Sequence, residues 1–101
     1  MKPAPNEFAA EIGDAPVAVT QGVMERFKPS EVNKAVQRHL NLDWKDMDED
    51  DARANLRAAM EGGRRVLGAY RIRASSEMPC DLWIVTEADR SHTTILLPEE
   101  Y

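Results

Sequence analysis

The chain has little cysteine, little histidine and no long apolar run, and each shortage removes a class of function. Cys80 is the only cysteine among 101 residues, so neither an internal disulfide nor a cluster of thiolates for a metal ion can form. His39 and His92 lie in separate predicted elements, so there is no paired-histidine motif. No apolar stretch approaches the roughly 20 residues that span a bilayer, and polar residues interrupt the N-terminal region where a signal peptide would need an apolar centre. We therefore predict a cytoplasmic protein with no membrane association, no metal and no cofactor.

Motifs for calcium, nucleotides and nucleophilic catalysis are missing as well. Asp46, Asp48 and Asp50 have the alternate spacing of a calcium loop. That loop needs glycine at its sixth position and glutamate at its twelfth, where this chain has Asp51 and Arg57. The glycine pair lies at the end rather than the start of a predicted helix, and no serine stands in a nucleophile motif. The sequence therefore predicts no catalytic residues and favours a non-enzymatic protein.

Charge is distributed in blocks, although the net charge is only −5. Residues 1–42 balance to zero, residues 43–51 carry six acids and one lysine, residues 52–73 carry six arginines and one glutamate, and residues 74–101 carry six acids and one arginine. One interpretation is that these blocks neutralise one another across the fold. The other is that the first acidic block forms a partner-binding patch. Its members are Asp43, Asp46, Asp48, Glu49, Asp50 and Asp51.

The arginine block supports an alternative function, a nucleic-acid-binding accessory protein. Guanidinium groups that converge on one surface bind phosphates, and nucleic-acid surfaces also carry aromatic rings for base stacking. Only Tyr70 lies within this block. The candidate strip comprises Arg53, Arg57, Arg64, Arg65, Arg71 and Arg73.

The densest polar group lies in a predicted hairpin turn over residues 86–92. It consists of Glu87, Asp89, Arg90 and His92. Such a turn could supply acid–base groups, so a small enzyme acting through it is a second alternative. The structural interpretation is that Asp89 and Ser91 make turn hydrogen bonds and that Arg90 pairs with a neighbouring acid.

Hydrophobic periodicity predicts one α+β domain at residues 16–101, preceded by a mobile arm at residues 1–15. The predicted strands are 16–20, 65–72, 81–86 and 93–97, and the predicted helices are 22–27, 30–40 and 48–61. The order β-α-α-α-β-β-β indicates an antiparallel sheet of about four strands with two to three helices on one face. Thr20 and Asp48 are predicted helix caps, and Trp44 is predicted to plug one end of the core.

Apolar residues occur on both faces of the predicted C-terminal hairpin. The face away from the helices is therefore either partly exposed or covered by a partner, which leaves a homodimer as an alternative. The positions concerned are Trp83, Val85, Leu96 and Tyr101.

Three segments between residues 42 and 101 carry a resemblance to a family. They read L-D-W-x-x-M-D-E-D-D, then N-L-R-A-A-M-E-G-G-R-R-V-L-G-A-Y, then L-W-I-V-T-E-A-D-R-S-H-T-T-I-L-L-P-E-E-Y. They resemble small bacterial proteins carried on plasmids and integrated mobile elements, which are often labelled "plasmid-related protein" or "type I restriction endonuclease subunit M". The second label is not transferred, because this chain has no room for the cofactor-binding domain of a methyltransferase subunit.

The resemblance implies an accessory protein of a mobile element and supplies no catalytic residues. Small acidic proteins in that setting sometimes block host defence systems. Together with the acidic blocks, this leads to the hypothesis of a non-enzymatic interaction module that inhibits a host defence or DNA-processing protein. Its partner would be another protein.

Overall fold

The computed structural model describes Phe8, Ala9, Ile12 and residues 15–101. The described elements, in chain order, are β1 (Val17–Val19), α1 (Gln21–Arg26), α2 (Pro29–Leu40), α3 (Glu49–Glu61), β2 (Val66–Arg73), β3 (Pro79–Thr86), β4 (Thr93–Leu96) and a 3₁₀ turn (Pro98–Glu100). The predicted α+β class and element order are confirmed. Each predicted strand and helix is present, with bounds that differ by no more than two residues.

The four strands form one open sheet in the order β1-β4-β3-β2. The pairs β2–β3 and β3–β4 are antiparallel, as predicted, but β1 runs parallel to β4, with Val17 opposite Thr93 and Val19 opposite Ile95. The sheet is therefore mixed rather than purely antiparallel. Parallel neighbours need a long crossover between them, and here the three helices and the β2–β3 hairpin supply it.

The helices begin and end where local chemistry favours it. The Thr20 hydroxyl accepts a hydrogen bond from the Val23 amide at 3.3 Å and caps α1. The Asp48 carboxylate accepts from the Asp50 amide at 3.1 Å and caps α3. Gly62 follows α3 with φ of 72°, a left-handed conformation that glycine adopts without steric cost. Both predicted caps are thus confirmed.

The core lies between the helices and one face of the sheet, and two of its members precede β1. Phe8 and Ile12 are helical and only 2% and 6% exposed, and both belong to the main hydrophobic cluster. Both positions fall within the mobile arm predicted at residues 1–15. Apart from these two, Ala9 and Ala15, that arm lies outside the described residues.

The other face of the sheet is less open than the sequence suggested. Val85 and Leu96 are buried within the single chain, at 4% and 8% exposure, so the prediction that they are exposed or covered by a partner is wrong. The chain after β4 turns back against β3, and the ring of Tyr101 meets the ring of Trp83 edge to face at 5.4 Å. Tyr101 itself remains 62% exposed. The apolar surface available there to a second copy is therefore smaller than predicted.

Side chains bind several backbone groups at the β2 edge of the sheet. The amide of Asn55, on α3, both donates to the carbonyl of Leu67 and accepts from the amide of Leu67. Four residues further along β2, on the same edge, the Arg71 amide donates to the carboxylate of Asp46 at 3.1 Å. These side chains occupy part of the row of backbone groups that a further strand would use, a common protection of exposed edges.

Candidate functional site

A groove of about 740 Å³ lies between the connector after α2 and the exposed side of α3. Its floor is apolar and its rim is charged. The floor is formed by Leu42, Trp44, Ala52 and Leu56, and the rim by Asp43, Lys45, Glu49 and Arg53. Large rings and aliphatic chains on the floor of a groove can receive an apolar group.

The connector that forms one wall of the groove makes a sharp reversal. Asn41 ends α2, as the sequence predicted, and Leu42 then adopts φ of 61°. That conformation costs a leucine about 1–2 kcal/mol, and burial of the Leu42 side chain offsets it. The reversal also allows the Asp43 amide to donate to the carbonyl of Arg38 at 2.9 Å. The Trp44 ring is consequently buried at the floor, 3% exposed, as predicted for a core plug.

Two of the six predicted patch acids are bound to Arg38. Its guanidinium donates from Nε to Asp43 at 2.9 Å and from a terminal nitrogen to Asp46 at 2.8 Å. These hydrogen bonds from Arg38 lower the pKa of both carboxyl groups. The guanidinium also lies over the Tyr70 ring, 4.9 Å from its centroid. Asp43 therefore anchors the connector to α2, Asp46 anchors it to both α2 and β2, and the guanidinium of Arg38 compensates part of their charge.

The other four acids gather at the start of α3, in line with the prediction for this helix. Asp48 is the cap, while Glu49 and Asp50 both approach Arg53 on the next turn, with Asp50 at 4.0 Å. Their side chains are 76% and 90% exposed, so these ion pairs are weak. Asp51 is exposed and takes part in none of the ion pairs formed by the described residues. The exposed acids of this region are thus residues 48–51, and of these four Glu49 lines the groove.

The floor of the groove is fixed from below by a buried polar cluster around His39. Trp44 Nε1 and the Tyr70 hydroxyl each lie 3.3 Å from His39 Nδ1, and His39 Nε2 lies 3.0 Å from the Thr86 hydroxyl. An indole N–H can only donate, so Nδ1 accepts and Nε2 carries the proton. The Thr86 hydroxyl is in turn 3.0 Å from that of Thr93. The predicted core position of His39 is confirmed, and this residue orients the ring of Trp44.

Close packing surrounds His39 and keeps it neutral. Burial, and secondarily the positive charge of Arg90, lower the pKa of His39 from 6.5 to about 3. A Cβ atom on Gly68 would lie 2.7 Å from His39 Nδ1 and 2.8 Å from Trp44 Nε1. Only glycine therefore fits at this point of β2.

The six arginines of the predicted nucleic-acid strip are divided between α3 and β2, and half of them have acidic neighbours. Arg53 pairs with Glu49, Arg65 with Glu87, and Arg71 with Asp81. The three that form no ion pair within the described part of the chain are Arg57, Arg64 and Arg73. Pairing with carboxylates reduces the positive charge that phosphates would meet.

Arg90 points into the protein and is absent from the surface of the hairpin turn. It is 8% exposed, and its guanidinium donates to the carbonyls of Ala58 at 2.9 Å and Arg64 at 2.7 Å. Ala58 lies in the last turn of α3, where the helix dipole favours a cation. Arg90 thus bonds to carbonyl groups rather than to the neighbouring acid that the sequence suggested. Nothing in the local sequence signals this inward turn.

The remaining polar residues of the turn surround a shallow depression of about 320 Å³. Asp89 accepts from the Ser91 amide at 3.0 Å, which confirms the predicted turn hydrogen bond. The Ser91 hydroxyl lies 3.0 Å from His92 Nδ1, and His92 Nε2 lies 4.0 Å from Glu87. His92 and Asp89 are exposed, and Glu87 is paired with Arg65. The turn therefore presents a hydrated polar surface.

No family model, curated protein or solved structure matches this chain. Within Phe8, Ala9, Ile12 and residues 15–101, no helix is long and apolar enough to cross a bilayer. The same residues bring together no group of three or more potential metal ligands.

Proposed function

We propose that the chain is a non-enzymatic protein-interaction module that binds a basic segment of another protein in the groove between residues 42–45 and α3. The observation that carries this proposal is an apolar floor with the exposed carboxylate of Glu49 on its rim, next to Asp50 and Asp51 in the first turn of the same helix. An apolar side chain of the partner would fill the floor over Trp44, and flanking lysine or arginine residues would meet Glu49, Asp50 and Asp51. Anchors of this kind dominate the energetics of protein interfaces.

The charges on the rim of the groove would mainly raise the rate at which a partner associates and select which partner binds. Exposed carboxylates attract a basic partner and raise its association rate at low salt. Lys45 and Arg53 on the same rim would repel a uniformly basic surface, so the partner segment needs an acidic or neutral residue opposite them. This mixed rim favours a specific protein segment over a uniform polycation.

The resemblance to proteins of plasmids and integrated elements supports a more specific version of the proposal. Proteins that process or defend against foreign DNA carry basic surfaces for phosphate groups. The carboxylates of residues 48–51 would occupy such a surface in place of phosphates, which makes the chain an inhibitor of a host defence or DNA-processing protein.

The two alternative functions have less support. The nucleic-acid alternative requires free guanidinium groups on one surface, whereas Arg53, Arg65 and Arg71 each pair with an acid. The enzyme alternative requires a sheltered reaction site, whereas the turn that contains Ser91 and His92 is open to solvent. We therefore favour protein binding.

Affinity purification from a bacterial host lysate, with and without nuclease, tests the proposal. We expect one stoichiometric protein that survives nuclease treatment. The variant Asp50→Lys with Asp51→Lys should reduce its recovery at least about tenfold. The matched control, Glu61→Lys with Glu77→Lys, changes net charge equally at exposed acids away from the groove and should retain the partner. Equal losses in both variants, or companions that disappear with nuclease, would contradict the groove as the binding site.

A further inference from the structure

The two edges of the sheet differ in how their backbone groups are used. The β2 edge is occupied by Asn55 and Asp46. At the opposite edge, β1 bonds to β4 on its inner side, where the Thr93 amide donates to the carbonyl of Pro16 at 3.0 Å and the Thr20 amide donates to the carbonyl of Ile95 at 3.1 Å. Side chains bind part of the β2 edge, whereas within the described part of the chain no hydrogen bond reaches the outer side of β1.

In this parallel ladder Ala18 bonds to β4, so the backbone groups of its two neighbours point away from the sheet. These are the N–H and C=O groups of Val17 and Val19. Among the described residues none forms a backbone hydrogen bond to them. An antiparallel partner strand can form hydrogen bonds to the N–H and C=O groups of both valines, which lie symmetrically on either side of Ala18.

The surface beside this edge is apolar and uncharged. A groove of about 550 Å³ runs between β1 and the helices α1 and α2. Val17, Val19 and Met24 line it and are 49%, 36% and 63% exposed. No charged residue is among the described residues that line this groove, and Asn33 is the single polar one. Exposed apolar surface beside an open strand is a signature of strand pairing between chains.

We propose that β1 pairs with β1 of a second copy of this chain, antiparallel about a two-fold axis that passes beside Ala18. Val17 then lies opposite Val19 of the partner subunit, and Val19 opposite the partner's Val17. All four outward N–H groups and all four outward C=O groups find partners, and the two sheets join into one sheet of eight strands.

Side-chain geometry and charge favour a second copy as the occupant. Residues directly opposite in an antiparallel pair project to the same face, so the valines of both copies cover the two grooves together. Each copy carries a net charge of −5, and an uncharged contact allows two such copies to approach without like charges meeting. The contact surface is self-complementary and needs no other chain.

A cross-link tests both the contact and its register. Ala18 lies opposite the partner's Ala18 as a non-hydrogen-bonded pair, with Cα atoms about 4.5 Å apart, which is within disulfide range. Ala18→Cys in a Cys80→Ala background should therefore form a disulfide-linked dimer on mild oxidation. The matched control, Ser75→Cys in the same background, places an exposed thiol elsewhere and should stay monomeric. A monomeric Ala18→Cys protein would overturn this pairing.

Sedimentation of the unmodified chain supplies an independent readout. From low micromolar to several hundred micromolar, its mass should rise from 11.4 kDa to twice that value. Val19→Lys should raise the dissociation constant at least about tenfold, whereas Met60→Lys, an equal change at an exposed position of α3, should not. Circular dichroism should show both variants folded. A constant mass of 11.4 kDa for the unmodified chain, or an unchanged dissociation constant for Val19→Lys, would contradict the proposal.

The two proposals can fail separately. The β1 edge and the groove of residues 42–56 belong to different elements, and dimerisation is measured on the purified chain alone. The variant with lysine at positions 50 and 51 should lose the lysate partner without any change in dimerisation. Val19→Lys should weaken the dimer and leave the acidic groove intact. If the chain is monomeric but an extended peptide occupies β1, the edge is a site for a foreign strand and the second-copy proposal is wrong.

Discussion

The indole N–H of Trp44 donates to Nδ1 of His39 at 3.3 Å, so the floor of the candidate groove depends on a histidine that must stay neutral. The folded protein lowers the pKa of His39 to about 3, whereas the unfolded chain protonates it near 6.5. The unfolded state therefore binds more protons between these two values. The contribution of neutral His39 to stability is fully present above about pH 6.5 and is lost as the pH falls toward 3.

The first prediction follows from this linkage. The free energy of unfolding should decrease by up to about 1.4 kcal/mol per pH unit as the pH falls from about 6 to 4. His39→Gln should flatten that slope, because its amide does not titrate. His92→Gln, at an exposed histidine, should leave the slope unchanged. Urea unfolding at a series of pH values measures it, and equal slopes in all three proteins would contradict the assignment.

At lower pH a second group of residues also reduces the free energy of unfolding. The hydrogen bonds from Arg38 lower the pKa of Asp43 and Asp46 in the folded state. Their contribution is present above the ordinary carboxyl pKa near 4 and is lost as the pH falls below it. The contribution of His39 can therefore be measured first, at pH values above about 4.5.

The second prediction concerns the contact of Asn55 with the β2 edge of the sheet. Asn55→Ala removes both hydrogen bonds to the backbone of Leu67 and leaves its partly buried N–H and C=O groups without these partners. We expect a loss of about 1–3 kcal/mol in the free energy of unfolding. Asn33→Ala, at an exposed position of α2, should change it by less than about 0.5 kcal/mol. Similar values for the two variants in denaturant titrations would argue against the role of Asn55.

The third prediction tests the packing beneath the groove. Gly68→Ala places a methyl group against His39 and Trp44, at distances that real side chains do not show. The rings must shift, and the free energy of unfolding should fall by about 1–3 kcal/mol. The indole N–H resonance of Trp44 should move in the same variant. A stable variant with an unshifted resonance would mean that the space beside Gly68 is larger than described.

The fourth prediction concerns the inward guanidinium. Arg90→Ala removes donors from the carbonyls of Ala58 and Arg64 and should destabilise the fold by about 2–4 kcal/mol. Arg90→Lys should restore little of this, because an ammonium group lacks the planar fork that reaches both carbonyls. Arg73→Ala, at an exposed arginine, is the control. Thermal unfolding compares them, and a mild effect of Arg90→Ala would indicate that the turn is held by other contacts.

Features encoded by neighbouring residues could be read from the sequence. The periodicity of α2, the Asp48 cap and the terminating glycines depend on groups a few residues apart, and all were predicted correctly. The acidic start of α3, which borders the candidate groove, was predicted for the same reason. The element order followed from these local signals.

Features that depend on distant pairings could not be read in this way. The parallel alignment of β1 with β4, the burial of Phe8 and the inward turn of Arg90 each require knowledge of which segments meet. The separation of the six predicted patch acids into two residues paired with Arg38 and four exposed residues also depends on a distant contact. Asp43 and Asp46 look like their neighbours in sequence, and only the position of Arg38 separates them from the acids exposed on α3.

The pairing of β1 with β4 has a consequence for synthesis of the chain. β1 has its sheet partner at Thr93–Leu96, and the Thr20 hydroxyl that follows β1 donates to Glu100, 80 residues later. While a ribosome is making the chain, the helices and the β2–β3 hairpin can form, but β1 must wait until residues 93–96 have emerged. Contacts of such long sequence separation slow folding and leave β1 exposed to other nascent chains during that interval.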